Sequence, residues 1–233
     1  MPTATYTNRR GELETYFDRT AMEAWKKLTS DAPVGRIRAT VRAGREKMRG
    51  QLMSWLPADM TGLRLLDAGC GTGTLAMEAA ARGAHVTAID LSENLVGIAR
   101  EQAALKQLRG HIDFQVGDML DPALGEFDHI ACMDSLIHYQ CGDIVNALSQ
   151  LTARCSTSVV FTFAPRTRML ATMHKVGKFF PRSDRAPAIE PVRQKQLHEE
   201  IRTEASLSDW QTWRSNRISS GFYTSQAQEL NRR

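Results

Sequence analysis

The sequence predicts an α/β fold, with helices on both faces of a mostly parallel β-sheet. Short apolar runs alternate with stretches of helical periodicity through the middle of the chain, a pattern typical of parallel sheets. A glycine-rich turn, Gly69, Gly71 and Gly73, follows the first run, and Asp67 and Asp90 end the first two runs. Because open α/β sheets bind ligands at the carboxyl ends of their strands, these features predict a ligand site at that edge.

The expected elements follow from hydrophobic periodicity and from the turn residues between the segments. We expect strands at 63–67, 85–90, 112–116, 127–133 and 158–163, and a terminal strand pair at 210–218 and 222–230. We expect helices at 12–28, 34–55, 73–82, 92–108, 144–154 and 192–203, with Ser92 capping the helix at 92–108.

The organisation has four predicted parts. Residues 1–58 form an N-terminal helical arm, and residues 59–164 form the ligand-binding core. Residues 165–191 break the alternation with prolines, basic residues and an apolar stripe, and they predict an inserted lid after the fifth strand. Residues 192–233 supply a helix and a strand pair that complete the core sheet.

Composition narrows the class of protein. The chain has 233 residues and a net charge of +4, which suits an anionic partner but is weak evidence for nucleic acid. No apolar run approaches a membrane span of about 20 residues, and the charged N-terminus lacks a signal-peptide core. The four cysteines show no C-x-x-C spacing, so we expect reduced thiols in a cytoplasmic protein and no metal site.

The glycine turn itself is informative. Its G-x-G-x-G spacing differs from the G-x-G-x-x-G of dinucleotide folds, and the carboxylate of Asp67 suits a ligand with a positive head. The segment 63–74 resembles motif I of the class I S-adenosylmethionine-dependent methyltransferases. That resemblance implies a three-layer, Rossmann-like sheet and S-adenosylmethionine as cofactor, with S-adenosylhomocysteine as its product.

Acids at the ends of the next strands extend this reading. Asp90 can accept the ribose hydroxyls, Asp118 can accept the adenine amino group, and Met119 can cover the ring. Any one of these acids can instead cap a helix, but their joint occurrence on consecutive strands favours a site. The predicted cofactor-binding residues are Asp67, Gly69, Gly71, Gly73, Asp90, Leu91, Ser92, Asp118, Met119, Met133 and Asp134.

Segments outside the core resemble the magnesium-protoporphyrin IX O-methyltransferases, in particular the bacteriochlorophyll-pathway branch. The resembling segments are 16–20, 36–38, 41–45, 117–120, 133–139, 161–167, 186–191 and 219–226. The resemblance implies methyl transfer to one propionate of magnesium protoporphyrin IX, giving the monomethyl ester in bacteriochlorophyll biosynthesis. It also implies delivery of the substrate from the large subunit of magnesium chelatase.

Three residues are candidates for the chemistry. His138 falls just past the fourth strand, where it can orient the propionate or accept its proton. Tyr16 and Tyr139 can cover the cofactor or donate a hydrogen bond to the carboxylate. A structural histidine and two packed tyrosines are the competing interpretations.

Basic and apolar side chains are candidates for holding the substrate. Arg38, Arg42 and Arg45 lie on one helix face, and they either grip an anion or form a solvated basic face. In the predicted lid, Arg166 can meet a propionate, and Phe179 and Phe180 can meet the apolar disc or pack on the core. The basic, amphipathic lid is also compatible with peripheral contact to an anionic membrane.

Three alternatives remain at this stage. One is a methyltransferase of the same fold that acts on another small carboxylic acid or on a quinone precursor. Another is an RNA methyltransferase, although the fourth strand lacks the Asn/Asp-Pro-Pro-aromatic motif of enzymes that methylate base amino groups. The last is a non-enzymatic tetrapyrrole carrier, which the intact set of cofactor residues disfavours.

Overall fold

The computed structural model describes residues 1–19, 36–166 and 188–233 of the chain. The strands are β1 (Arg64–Ala68), β2 (His85–Asp90), β3 (His111–Val116), β4 (Phe127–Cys132), β5 (Cys155–Phe163), β6 (Trp210–Ser220) and β7 (Tyr223–Arg232). The helices are α1 (Ala4–Arg19), α2 (Arg36–Trp55), α3 (Thr74–Ala81), α4 (Glu93–Ala104), α5 (Cys141–Thr152) and α6 (Gln194–Thr203).

The strands form one seven-stranded sheet in the order β3-β2-β1-β4-β5-β7-β6. The first five strands are parallel to one another, and the terminal hairpin adds β7 antiparallel to β5 with β6 outside it. The strand order reverses between β1 and β4, and such a reversal opens a crevice at the carboxyl ends of the strands. The predicted parallel sheet and terminal strand pair are confirmed.

Two apolar clusters pack on opposite faces of the sheet. Leu65 belongs to the cluster under α2 and α3, whereas Leu66 belongs to the cluster under α5 and α6. Successive residues of a strand point to opposite faces, so the unbroken apolar run of β1 feeds both layers. This three-layer arrangement is the one that the sequence predicts.

Helix α2 belongs to one of these layers rather than to a detached arm. Its residues Met48, Leu52 and Met53 are fully buried, and they pack with Val160 of β5 and Ala227 of β7. The helical spacing of its apolar residues therefore places the helix in the core. The predicted arm, residues 1–58, therefore contains two helices that have different structural roles.

Helix α1 begins at Ala4, eight residues before the predicted start, so that prediction was wrong at its first boundary. The hydroxyl of Thr3 accepts a hydrogen bond from the backbone N–H of Tyr6 at 3.0 Å, which satisfies one of the free donors of the first turn. Tyr6, Leu13 and Phe17 then form an inward stripe with helical spacing. Residues 20–28, the rest of the predicted helix, lie outside the described residues.

The ends of the predicted lid lie next to each other. The backbone N–H of Val192 donates to Ala164 at 2.8 Å, and that of Arg166 donates to Val192 at 2.9 Å. Residues 167–187 between them lie outside the described residues. The four cysteines, at positions 70, 132, 141 and 155, are free and buried. Over the ranges that the structure describes, no helix is both long and apolar enough to cross a membrane.

Candidate active site

The glycine turn wraps around the end of β2. Gly69, Gly71 and Gly73 all have positive φ, at 82°, 54° and 74°, which L-residues with a Cβ rarely adopt. The N–H of Gly71 donates to the carboxylate of Asp90 at 2.8 Å. A Cβ on Gly69 would lie 2.5 Å from the Cβ of Ser135, so the loop after β4 also requires glycine there.

A cavity opens beside this turn, across the carboxyl ends of β1 to β4. The space within it and at its mouth, open solvent included, is about 670 Å³. Most predicted site residues in the described ranges line the cavity. They are Arg45, Gly69, Gly71, Asp90, Leu91, Asp118, Met119, Met133, Asp134, His138 and Tyr139.

Three predicted cofactor residues do not line the cavity. Asp67 is 1% exposed, and its carboxylate accepts the backbone N–H of Ala76 in α3 at 3.1 Å. Burial raises the pKa of Asp67 to about 7. The expectation that this carboxylate meets a ligand's positive head is therefore not supported, because it lies under the turn and anchors the turn to α3.

The other two, Ser92 and Gly73, support the helices that follow the strands. The Ser92 hydroxyl accepts the N–H of Leu95 at 3.3 Å, which confirms the predicted cap, and it donates to Asp18 of α1 at 2.7 Å. Gly73 stands immediately before α3, where a Cβ would lie 2.9 Å from the ring of Phe114. Both residues shape the site without facing its cavity.

Asp90 is placed as the sequence predicts for a hydroxyl acceptor. One carboxylate oxygen accepts the N–H of Gly71 at 2.8 Å, and the other accepts the N–H of Ser92 at 3.0 Å. Burial raises the pKa of Asp90, although these two backbone donors oppose that shift. Each oxygen retains acceptor capacity for a ligand, since a carboxylate offers about four lone-pair positions in all.

Asp118 lines the cavity with its carboxylate already held by α1. The hydroxyl of Tyr6 donates to Oδ1 at 2.8 Å, and the guanidinium of Arg10 donates to Oδ2 at 2.8 Å. The N–H of Leu120 donates to Oδ1 at 2.9 Å. The carboxylate is therefore fixed in orientation by groups that the sequence did not identify as part of the site.

His138 is 8% exposed and lines the cavity. Its Nδ1 lies 3.2 Å from the carbonyl oxygen of Ala188. Because a carbonyl only accepts, Nδ1 must carry the proton. Burial is the main cause that lowers the pKa of His138, so the ring is neutral and Nε2 has a free lone pair. The edge of Phe17 in α1 packs against the imidazole, with the ring centroids 6.2 Å apart.

The two predicted tyrosines have different positions. Tyr139 lines the cavity and stacks on Tyr6, with ring centroids 4.8 Å apart and an interplanar angle of 15°. Tyr16 is half-buried, packs edge-on against Phe17, and does not line the cavity. Phe17, next to it in sequence, takes the inward position expected for Tyr16.

The predicted arginines of α2 have different surroundings. Arg45 lines the cavity, and its guanidinium donates to Asp134 at 2.9 Å. Arg49, one turn further along, instead pairs with Glu78 of α3 at 3.0 Å. Three of the remaining substrate-binding candidates cannot be placed, because the side chain of Arg38 and residues Phe179 and Phe180 lie outside the described part. Arg42 is half-buried away from the cavity, and Arg166 is exposed.

Sequence reasoning missed Tyr6, Arg10 and Ser135 as site residues. The sequence does contain a signal for the first turn of α1. Thr3 is a capping residue type, and it precedes Tyr6 and Leu13, which have the spacing of one helix face. Nothing in the sequence signals Arg10, because its partner Asp118 lies 108 residues away.

The cavity has the features that an adenosine ligand needs. Acceptor carboxylates stand at the ends of β2 and β3, apolar side chains lie between them, and glycines let a ligand approach the backbone. Among the described residues, the hydroxyl of Ser135 is buried without a hydrogen-bond partner beside the cavity. A bound ligand can satisfy it, which the protein alone does not do.

Comparison with known proteins agrees with this class of ligand. Residues 65–157 match the family described as "Methyltransferase domain". A crystal structure of magnesium protoporphyrin IX methyltransferase from Synechocystis PCC 6803, with bound S-adenosylhomocysteine, superposes with a TM-score of 0.84. It is 26% identical and is matched over 96% of this chain and 100% of that one. Fold and site thus define a class I S-adenosylmethionine-dependent methyltransferase.

Further matches narrow the class of methyltransferases to one family. Residues 132–232 match the "Magnesium-protoporphyrin IX methyltransferase C-terminus". The magnesium-protoporphyrin O-methyltransferase of Rhodobacter capsulatus is 44% identical, with 96% of this chain and 97% of the relative covered. The Synechocystis relative is 32% identical, with 71% and 73% covered. The chain belongs to the magnesium-protoporphyrin O-methyltransferase family.

Proposed function

We propose that the protein transfers the methyl group of S-adenosylmethionine to a propionate carboxylate of magnesium protoporphyrin IX. The product is the monomethyl ester, an intermediate of bacteriochlorophyll biosynthesis. The observation that carries this proposal is the 44% identity with the Rhodobacter capsulatus relative along 96% of the chain. The cavity supports it, because acceptors suited to adenosine adjoin a neutral histidine and an arginine there.

The chemistry makes modest demands on the protein. S-adenosylmethionine supplies an electrophilic methyl group, and a propionate is an ionised nucleophile near neutral pH in water. Charge is neutralised as the ester forms, so alignment and exclusion of water contribute most of the rate acceleration. Helix α1 contributes to both, because Tyr6, Leu13 and Phe17 line one side of the cavity.

His138 is proposed as the proton acceptor. A carboxyl group that enters an apolar cavity has a raised pKa, so a fraction of the substrate arrives protonated. Neutral His138 has Nδ1–H committed to Ala188, which leaves Nε2 to accept that proton. The same tautomer cannot donate to a carboxylate from Nε2, so orientation of the ionised propionate falls to other groups.

Arg45 is proposed to bind a carboxylate that does not attack. A guanidinium binds carboxylates strongly, but a tight grip on the attacking oxygens would lower their nucleophilicity. Arg45 therefore suits the second propionate or the non-attacking edge of the first. Its pairing with Asp134 holds the guanidinium at the cavity.

The activity is tested by incubating the purified protein with labelled S-adenosylmethionine and magnesium protoporphyrin IX. Metal-free protoporphyrin, a quinone precursor and a simple carboxylic acid serve as parallel substrates. The expected result is label in a porphyrin monomethyl ester. Label in the quinone or the simple acid alone would support the alternative methyltransferase, and cofactor binding without any transfer would support a carrier.

The role of His138 is tested by replacing it with alanine and measuring turnover and cofactor affinity separately. We expect turnover to fall severalfold, because the fraction of the substrate that arrives protonated loses its proton acceptor, with the dissociation constant of S-adenosylhomocysteine within about twofold of the unmodified chain. Unchanged turnover would end the proposal for this residue.

Two partners are proposed on coarser grounds. The family resemblance supports delivery of the porphyrin by the large subunit of magnesium chelatase. The net charge of +4 supports peripheral contact with anionic membranes. Binding to the purified chelatase subunit, and flotation with phosphatidylglycerol vesicles at low salt, test these two proposals independently. Absence of either association would remove that partner.

A further inference from the structure

The tip of the terminal hairpin reaches the active site through one side chain. Tyr223, the first residue of β7, is 9% exposed, and its hydroxyl donates to Oδ1 of Asp134 at 3.0 Å. The two residues are 89 positions apart in the chain. This contact joins segment 219–226, one of the segments that resemble the family, to the loop after β4. None of the roles proposed above for the site residues involves this contact.

Close packing between the hairpin and α2 sets the position of this tyrosine. Gly44 lies in the middle of α2, where a Cβ would be 2.5 Å from Cδ1 of Tyr223. At the hairpin turn, Gly221 has φ of +57°, and a Cβ there would be 2.5 Å from the hydroxyl of Thr40. Both glycines allow the hairpin to lie directly on the helix that carries Arg45.

The carboxylate of Asp134 accepts hydrogen bonds from α2, β5 and the hairpin. Its Oδ2 accepts from Arg45 of α2 at 2.9 Å, and its Oδ1 accepts from Thr162 of β5 at 3.2 Å. Its own N–H donates to the Thr162 hydroxyl at 2.7 Å. Asp134 has φ of 57°, a left-handed conformation that costs free energy in a non-glycine residue unless surrounding contacts hold it.

We infer that Tyr223 is a positioning residue for the methyl transfer, holding Asp134 and, through it, the guanidinium of Arg45 where a substrate carboxylate binds. This inference rests on the proposed function. Tyr223 does not line the cavity itself, so it acts only through the two residues that do. The segment 219–226 would then contribute to substrate recognition at a distance from the substrate.

The chemistry of the contact fits this role. Burial is the main cause that raises the pKa of Tyr223 well above its usual value, so the phenol remains a donor at all working pH values. A hydrogen bond to a charged acceptor is stronger than one between neutral groups, so it can restrain a carboxylate. Without it, Asp134 can rotate and Arg45 follows, because their ion pair is retained.

The test replaces Tyr223 with phenylalanine, which removes the hydroxyl and keeps the ring against Gly44. Porphyrin binding is measured by quenching of porphyrin fluorescence, cofactor binding by calorimetry with S-adenosylhomocysteine, and turnover by ester formation. We expect the KM and dissociation constant for magnesium protoporphyrin to rise about tenfold, as the loss of one such hydrogen bond gives. The cofactor dissociation constant should stay within twofold.

Thr224→Val is the matched control. It removes a hydroxyl from the next residue of the same hairpin, where the partner is Ser219 at 3.4 Å on the exposed side. This variant should bind porphyrin like the unmodified chain. An equal loss in Tyr223→Phe and Thr224→Val would indicate general loosening of the hairpin and would overturn the inference.

A double-mutant cycle separates positioning from packing. In an Arg45→Met background, Tyr223→Phe should weaken porphyrin binding by less than about twofold, because the group through which it acts is gone. An undiminished tenfold loss in that background would overturn the inference, as would normal binding by the single variant. If the unmodified chain binds porphyrin but forms no ester, the proposed function fails, and the binding cycle still decides the role of Tyr223.

Discussion

At the scale of single residues, hydrogen-bond commitments decide what each candidate can do. Asp67 has the most familiar position in the sequence motif, yet its carboxylate is taken by the N–H of Ala76. His138 has Nδ1 committed to Ala188. Position in a motif therefore predicted which residues gather at the site, whereas the role of each depends on partners that the motif does not contain.

The lowered pKa of His138 predicts where the rate of methyl transfer falls at acid pH. Because burial lowers its pKa, the free base persists at pH values where an ordinary imidazole, with a pKa of about 6.5, is half protonated. We expect the acid limb of kcat/KM for magnesium protoporphyrin to lie below pH 6.5. Rates across pH 5–9, at fixed ionic strength, measure it.

The same shift has a consequence for stability with a definite sign. The unfolded chain binds a proton at His138 more readily than the folded chain, so this group destabilises the fold as pH falls through the unfolded pKa. The His138→Gln variant should lose the acid limb of the rate profile and this part of the acid sensitivity. A limb at or above pH 6.5 in the unmodified chain would contradict the assigned tautomer and neutral state.

At the scale of elements, helix α1 supplies several of the side chains that hold the strand-end loops of the site in place. It supplies Tyr6 and Arg10 to Asp118, and Asp18 to Ser92, so it contacts the loops after both β2 and β3. Its far side is attached to the end of the inserted segment by the ion pair of Arg9 with Glu190 at 2.8 Å. One helix thus links the loops after β2 and β3 to the end of the inserted segment.

Loss of the Arg10 contact should weaken cofactor binding. Arg10→Met keeps the length of the side chain but leaves Asp118 without its charged partner. We expect S-adenosylhomocysteine to bind about tenfold more weakly, since a charge-assisted hydrogen bond is worth about 1.5–3 kcal/mol. Calorimetry measures the change. Thr15→Ala, on the exposed side of α1, is the control, and equal affinities in the two variants would refute a role for Arg10.

Because α2 packs on the hairpin, we expect alanine substitutions at two of its glycines to change the free energy of unfolding in opposite directions. In Gly44→Ala the new methyl group would lie 2.5 Å from the Tyr223 ring, and we expect a loss of about 1–3 kcal/mol from overpacking. In Gly50→Ala the methyl group meets nothing within 4 Å, and we expect a gain of about 0.5–1 kcal/mol from helix propensity. Urea unfolding of both variants measures these changes, and effects of the same sign would contradict the close approach.

At the scale of the whole molecule, the sequence predicted features that depend on neighbouring residues and missed contacts between residues far apart in the chain. The boundaries of β2 and the cap at Ser92 follow from a few adjacent residues, and both were correct. The contacts of Arg10 and Tyr223 join positions 108 and 89 residues apart, and only the folded topology brings them together. No periodicity or motif could have revealed them.

The burial of Asp67 under the turn predicts how stability of the whole fold depends on pH. Its pKa of about 7 lies above the ordinary value of about 3.9, so the folded chain holds this proton more tightly than the unfolded chain. The resulting stabilisation is complete below about pH 4 and is lost as pH rises through 7. In Asp67→Asn this contribution no longer varies with pH, and the amide oxygen still accepts from Ala76.

Unfolding free energies at pH 5 and pH 8, without ligand, therefore distinguish the two chains. Between these values the unmodified chain should lose about 2–3 kcal/mol more than Asp67→Asn, on the linkage relation for a buried acid. Asp113→Asn, on the exposed side of β3, should show the same loss as the unmodified chain. Parallel pH profiles for Asp67→Asn and the unmodified chain would show that the carboxyl is ionised without penalty.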